Sequence, residues 1–139
     1  TSEKGVEKRN KYIKSESYKN IRKKEYDDIQ NDPAKKLIVY MRTRVRNSLK
    51  NKQIIKHKET LELLGCSSDF LVRYLEKQFN TSETTQGMSW DNYGQWHVDH
   101  IKPLSKFDLS TLEEQKKAFN YKNLQPLWAK DNLTKHNKY

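Results

Sequence analysis

The apolar positions between residues 33 and 50 recur at steps of three and four, and they are Leu37, Ile38, Met41, Val45 and Leu49. This spacing predicts an amphipathic helix whose apolar face packs against the rest of the protein. Three arginines, Arg42, Arg44 and Arg46, lie mostly off that apolar face. We therefore predict that they point outward, where they contact nucleic acid or simply remain in solvent.

Upstream of this helix, residues 4–30 are rich in Lys, Arg, Glu and Tyr and contain one glycine and no proline. The pattern predicts a polar helix, or an arm that becomes helical when it binds a polyanion. The sequence Asn31-Asp32-Pro33 then marks a break, because aspartate can cap a helix and proline suits the first helical position.

The remainder of the chain alternates short helical and extended patterns. After a basic connector at 51–58, we predict helices at 60–65, 69–79, 110–119 and 129–137, a polar loop at 80–95, and strands at 97–101 and 123–128. The helix at 110–119 has the pattern of a capping box, with Ser110 at the cap and Glu113 three residues later. This order of elements predicts an α-rich α+β fold with a small two-stranded core wrapped by helices.

Positive charge is concentrated in the first part of the chain. Residues 1–60 hold 18 Lys and Arg against 8 Asp and Glu, whereas residues 61–139 hold 10 of each, so the whole net charge of +10 lies upstream. A basic arm favours a polyanion, because each neutralised phosphate releases condensed counterions. A ribosome-like or solubilising tail is the alternative, and a membrane surface is disfavoured because the arm has few large apolar residues.

Cys66 is the single cysteine, which excludes an internal disulfide and a Cys-rich zinc ribbon within this chain. We expect it to be a small buried residue in a reducing compartment. No apolar run approaches the roughly 20 residues of a membrane span, and no signal-peptide pattern opens the chain. We therefore expect a cytoplasmic protein without a membrane partner.

The chemistry-bearing residues lie between 96 and 132. Asp99 stands directly before His100, and Asn123 and Asn132 follow. Carboxylate and amide oxygens are hard ligands that suit a magnesium-like ion, so we expect Asp99 and Asn132 to hold one. An imidazole can take a proton from water near neutral pH, because its unperturbed pKa is roughly 6.5. This combination indicates hydrolysis of phosphodiester bonds.

Several separated motifs agree in order and spacing with a known family. The segment Trp96 to Leu104 reads W-H-V-D-H-I-K-P-L, Asn123 to Trp128 reads N-L-Q-P-L-W, and Asp131 to Lys135 reads D-N-L-T-K. With these motifs, most of residues 60–138 resembles the HNH (His-Me finger, ββα-metal) endonucleases, especially phage-type members. The resemblance implies a ββα-metal core, with 1–58 as a basic helical DNA-binding extension and 59–139 as an HNH nuclease domain in a cell such as a phage-infected bacterium.

The resemblance also implies roles for single residues. Asp99 and Asn132 would bind one Mg²⁺ or Mn²⁺ ion, and His100 would be the general base that activates water. Asn123 would hold the loop of the motif by hydrogen bonds and thereby orient the histidine. Cleavage of DNA would leave a 5′-phosphate and a 3′-hydroxyl.

The remaining candidates are less specific. His97 shares a strand face with Asp99 and is either a further catalytic residue or a structural histidine. Lys102, Lys130 and Lys135 flank the site, where each contacts phosphate or stays in solvent. We expect a small core behind the site, formed by Trp96, Ile101, Leu104, Phe107, Phe119, Leu127 and Trp128.

Two other functions stay open at this point. One is a nucleic-acid-binding module with an idle HNH site, although such a protein would gain nothing from keeping Asp99, His100, Asn123 and Asn132 together. The other is a nuclease for RNA or branched DNA, because the motif recognises a phosphodiester and neither a sugar nor a sequence.

Overall fold

The computed structural model of the chain describes residues 2–50 and 59–135. Within them, the elements in chain order are α1 (Glu3–Ile13), α2 (Glu16–Asn31), α3 (Pro33–Lys50), α4 (Thr60–Leu64), α5 (Ser68–Glu76), β1 (Trp96–His100), α6 (Leu112–Phe119), β2 (Leu124–Trp128) and α7 (Ala129–Lys135). This is a helix-rich α+β protein with one small sheet, as the pattern predicted. The predicted connector at 51–58 and the last residues of the closing helix lie outside the described residues.

The arm at 4–30 is two helices and not one. The side chain of Ser15 accepts a hydrogen bond from the backbone N–H of Tyr18 and so caps a new helix after α1. The predicted cap before α3 is confirmed, because Asp32 Oδ1 accepts from the N–H of Ala34 at 2.9 Å. Neither α1 nor α2 has a buried residue, so both depend on helix propensity and on the neighbouring helix.

Helix α3 is the support on which the rest of the protein packs. Its first half contributes Leu37, Ile38 and Met41 to a cluster with residues of α5, β1 and β2. Its second half contributes Val45 and Leu49 to a cluster with residues of α4 and α6. The predicted apolar face is therefore confirmed, and α3 shares its core with residues 59–135.

The sheet has two antiparallel strands. Trp96 pairs with Trp128 at one end, and His100 pairs with Leu124 at the other. The connection between them contains α6, and α7 begins directly after β2. A two-stranded sheet is marginal on its own, and this one is stabilised by packing its buried side chains Trp96 and Val98 against the helices.

Three details differ from the sequence-based expectation. Ser110 does not cap α6: the Thr111 hydroxyl accepts from the N–H of Glu114, while the Ser110 hydroxyl donates to Asp108. Helix α5 ends at Glu76, three residues early. Ile101 is 38% exposed, because it lies just beyond the end of β1 and leaves the core.

Two expectations concern residues 60–66, namely the end of the helix at Gly65 and the burial of Cys66. Helix α4 ends at Gly65, whose φ of 73° is a left-handed conformation that glycine adopts without strain. Cys66 is only half-buried, and its partial burial raises the pKa of its thiol. In the described part of the chain, no helix is long and apolar enough to cross a lipid bilayer.

The packing of α3 predicts a sharp contrast between two of its residues. Met41 is fully buried between the helices and the sheet, whereas Val39 is 42% exposed on the same helix. We expect Met41→Ala to lower the free energy of unfolding by about 2–5 kcal/mol, because it leaves a cavity. Val39→Ala is the matched control, and we expect a change within about 0.5 kcal/mol. Urea unfolding measures both, and equal losses would contradict the packing.

Candidate functional site

The end of β1 and the helix α7 form the two walls of a narrow cleft. Because α7 follows β2 without a loop, its residues lie beside the neighbouring strand β1. Asn132 and Lys135 are three residues apart and so share one face of α7. The cleft encloses about 230 Å³ and is lined by Arg44, Asp99, His100, Pro103, Leu104, Ser105, Asn132 and Lys135. The structure thus brings together Asp99, His100 and Asn132, as predicted.

Asp99 is a buried carboxylate with partners on one oxygen. Its Oδ2 accepts a hydrogen bond from Gln125 Nε2 at 3.0 Å and one from Lys135 Nζ at 2.6 Å. Gln125 is the residue directly opposite on β2. No described residue donates a hydrogen bond to Oδ1. A carboxylate in such a position needs a cation or donors to offset its lost hydration, and Oδ1 is the oxygen that can accept a ligand.

Lys135 provides that cation, and its place was not predicted. We expected it to contact phosphate or to stay in solvent, but its ammonium lies against the end of β1. Besides Asp99, it donates to the carbonyl oxygens of His100 at 2.5 Å and Ile101 at 3.2 Å. The Lys135 side chain is 19% exposed and that of Asp99 is 7% exposed. The ion pair therefore ties α7 to the strand and is largely shielded from water.

His100 is buried, and one of its ring nitrogens has no hydrogen-bond partner among the described residues. Its Nε2 atom has no hydrogen-bond partner among residues 2–50 and 59–135, and its ring packs edge-on against Phe119 with centroids 5.8 Å apart. Burial and, to a smaller extent, the positive charges of Arg44 and Lys135 together lower the pKa of His100 to about 3. The imidazole is consequently neutral at physiological pH, which is the form that accepts a proton.

Arg44 is the main correction to the predicted nucleic-acid surface. It does not point outward: its Nη1 donates to the carbonyl oxygen of Val98 on β1 and, at 3.2 Å, to the hydroxyl of Tyr40. Arg42 and Arg46 are exposed, as predicted. Arg44 follows the buried Met41 by three residues, so it flanks the apolar face. Arg42 likewise follows the buried Ile38 by four residues, so the spacing along the helix did not single out Arg44.

Asn123 closes the loop that follows β1. Its Oδ1 accepts from the N–H of Lys102 at 2.8 Å, and its Nδ2 donates to the carbonyl oxygens of Lys102 at 3.1 Å and Ala118 at 3.0 Å. Its own carbonyl accepts from the N–H of Ile101 at 2.8 Å. These four bonds hold the chain immediately after His100, so Asn123 acts on the site through the backbone.

Three other candidates lie outside the cleft. The ring of His97 packs edge-on against Tyr93, with centroids 6.4 Å apart. The ammonium of Lys102 lies over the ring of Phe107, 4.6 Å from its centroid. Lys130 is exposed on the opposite side of α7, beside a separate hollow that includes Trp128. None of the three therefore lines the cleft.

The oxygens of the cleft define which metal could bind. Among residues 2–50 and 59–135, no group of three or more His, Cys, Asp or Glu could hold an ion. The donors that line the cleft are instead the Asp99 carboxylate and the Asn132 amide. One carboxylate, one amide and several waters suit the weakly held, largely hydrated Mg²⁺ ion. They do not suit zinc, which needs three or four protein ligands.

Comparisons with known proteins find few relatives. No protein-family model and no solved structure matches the chain. "Uncharacterized protein L246" of Acanthamoeba polyphaga mimivirus is 37% identical over 105 residues, which are 75% of this chain and 43% of the relative. "Uncharacterized protein L426" of the same virus is 37% identical over 82 residues, 58% of this chain and 34% of the relative. The chain thus spans less than half the length of the curated relatives it matches.

Burial of the neutral His100 predicts a pH-dependent stability. Below the unfolded pKa of about 6.5, the unfolded chain binds a proton that the folded chain binds only near pH 3. The free energy of unfolding therefore decreases as the pH is lowered through this window, by about 2 kcal/mol from pH 7 to pH 5. Urea unfolding in EDTA measures this slope, and we expect His100→Gln to reduce it.

His97→Gln is the matched control for this experiment, because it changes the same residue type on the same strand, at a half-buried position. We expect the free energy of unfolding of this variant to depend on pH as it does in the unchanged protein. A His100→Gln slope equal to that of the His97→Gln variant would show that another group causes the pH dependence.

Proposed function

We propose that this protein is a metal-dependent endonuclease of the HNH type that hydrolyses phosphodiester bonds in DNA. The observation that carries the proposal is the cleft itself. It combines a buried neutral imidazole, a carboxylate with one oxygen unpaired by described residues, and an amide three residues before a lysine. Two cations, Arg44 and Lys135, border the same space, and they suit an anionic substrate.

His100 is the general base in this proposal. The imidazole of His100 accepts a proton from a water molecule, and the resulting hydroxide attacks the phosphorus atom. The bond to the 3′ oxygen breaks, and the departing oxygen takes a proton from solvent water. The products are a 3′-hydroxyl and a 5′-phosphate. Bound Mg²⁺ or Mn²⁺, held by Asp99 and Asn132, would supply Lewis-acid stabilisation of the negative charge on the phosphate.

The positions of the cationic residues support two distinct roles. Arg44 and Lys135 reach the cleft, where they would stabilise the reacting phosphate. Arg42 and Arg46 are exposed on α3, beside the start of α4, and they would contact neighbouring phosphates. The arm of α1 and α2 adds a smaller share, because residues 1–30 hold nine Lys and Arg against six Asp and Glu.

Cleavage of supercoiled plasmid with Mg²⁺ tests the proposal. We expect His100→Ala to reduce the cleavage rate by at least about 100-fold, because general-base catalysis contributes that much or more. We expect Asp99→Ala to lose activity together with metal affinity. EDTA is the control for metal dependence, and His97→Ala, on the same strand, should retain cleavage.

DNA binding by the same variants separates this function from its alternatives. His100→Ala should bind duplex DNA within about threefold of the unchanged protein, because the base acts in chemistry and not in docking. Binding without cleavage of plasmid, linear duplex or structured RNA by the unchanged protein would favour a binding module. Cleavage of RNA or of branched DNA alone would place the activity on that substrate.

The two groups of arginines should behave differently in the same assays. We expect the double variant Arg42→Ala/Arg46→Ala to weaken DNA binding and to lower the salt slope by about 0.9 per lost phosphate contact. Arg44→Ala removes at most one phosphate contact, so it should lower the salt slope by no more than about 0.9, and it should slow cleavage. An unchanged salt slope in the double variant would show that Arg42 and Arg46 do not contact DNA and that α3 has only a structural role.

A further inference from the structure

The ammonium of Lys135 is surrounded by oxygen atoms. Asp99 Oδ2 lies at 2.6 Å, the carbonyl oxygen of His100 at 2.5 Å and that of Ile101 at 3.2 Å. One carboxylate and two carbonyls are the oxygen types that a hard metal cation also selects. The side chain of Lys135 therefore places a positive charge on Asp99, the carboxylate that binds the metal in the proposed function.

We propose that Lys135 is an internal competitor of the metal ion, released from Asp99 when a substrate phosphate enters the cleft. The inference rests on the proposed nuclease function and adds a regulation to it. Metal binding and nucleic-acid binding are then coupled: each ligand strengthens the other, because both favour the arrangement in which Lys135 has left the carboxylate.

Electrostatics gives the reason for the competition. A divalent ion at Asp99 and an ammonium on the same carboxylate repel each other, and their burial weakens the screening by water. The ammonium cannot simply be withdrawn, because a partly buried charge without a partner is costly. A phosphate in the cleft provides the new partner, since Lys135 and Arg44 line the space beside Asn132.

A purely structural role for Lys135 makes the opposite prediction. If the ion pair only ties α7 to β1, its removal loosens the cleft and weakens the binding of metal. If Lys135 competes with the ion, its removal strengthens the binding of metal in the absence of DNA. The sign of the change in metal affinity therefore separates the two roles, without any measurement of cleavage.

The experiment measures Mn²⁺ binding by calorimetry in a His100→Ala background, where DNA stays intact. The variants are Lys135→Gln and Lys135→Met, made in parallel so that one failure to fold does not decide the result. The matched control is Lys130→Gln, which removes the same charge from an exposed position on the same helix. Asp99→Asn shows which part of the binding depends on this site.

We expect both Lys135 variants to bind Mn²⁺ about tenfold more tightly than the parent, within the usual range of coupling between sites. Lys130→Gln should change the affinity by less than about threefold, because an exposed charge is screened. Thermal unfolding provides a second readout: saturating Mn²⁺ should raise the melting temperature of the Lys135 variants more than that of the Lys130 variant.

The coupling itself is measured from the DNA side by fluorescence anisotropy of a labelled duplex. Mn²⁺ also screens the charge of the DNA, and we expect this effect to be the same in both variants. Beyond it, Mn²⁺ should strengthen DNA binding more in the Lys130→Gln variant than in the Lys135→Gln variant. Mn²⁺ affinity in the Lys135 variants that equals or falls below that of Lys130→Gln would overturn the competition and leave the nuclease proposal standing. If Asp99→Asn leaves the affinity for Mn²⁺ unchanged in every variant, both the competition and the nuclease proposal are overturned.

Discussion

The carboxylate of Asp99 is buried at the end of a two-stranded sheet, and its need for partners organises the surrounding structure. Gln125 reaches it from the opposite strand and Lys135 from α7, so one side chain connects β1, β2 and α7. A buried ion pair of this kind contributes little net stability, since desolvation offsets much of the attraction. Its effect is geometric: it brings α7, and with it Asn132, to the end of β1.

The small sheet could not support a site without the helices. Its buried residues Trp96 and Val98 belong to the cluster that α3 completes with Leu37 and Met41. This dependence has a consequence for the cleft, because the helix that supports the strand also places Arg44 against its backbone. A residue far away in the sequence thus becomes a neighbour of His100 through the packing of the core.

The charges around the cleft favour an anion over a cation in the absence of metal. Arg44 and Lys135 both lower the pKa of His100, which burial already keeps neutral. Within the described part of the chain the Nε2 atom of His100 has no partner, which a purely structural histidine would avoid, because buried polar atoms normally have partners. In the proposed function the imidazole receives a proton, and the competition between Lys135 and metal determines when that chemistry can begin.

The sequence by itself determined the elements whose signals are local. The period of the apolar positions identified α3 and its buried face, Asp32 marked the start of α3, and the motif at Asp99 and His100 identified the strand that carries the site. Such signals act over a few residues, because helix periodicity and capping depend on near neighbours. The break between α1 and α2 was missed although it is local, since Ser15 caps without any change in the surrounding polarity.

Only the tertiary structure decided which charged side chains belong to the cleft. Arg42, Arg44 and Arg46 look alike along the chain, and the turn of α3 against β1 selects Arg44 alone. Lys102, Lys130 and Lys135 likewise look alike, and only Lys135 reaches Asp99. The partners in these contacts are separated by 54 and 36 residues. A long flexible side chain pairs with whichever polar group the packing brings within its reach, and the packing depends on the whole fold.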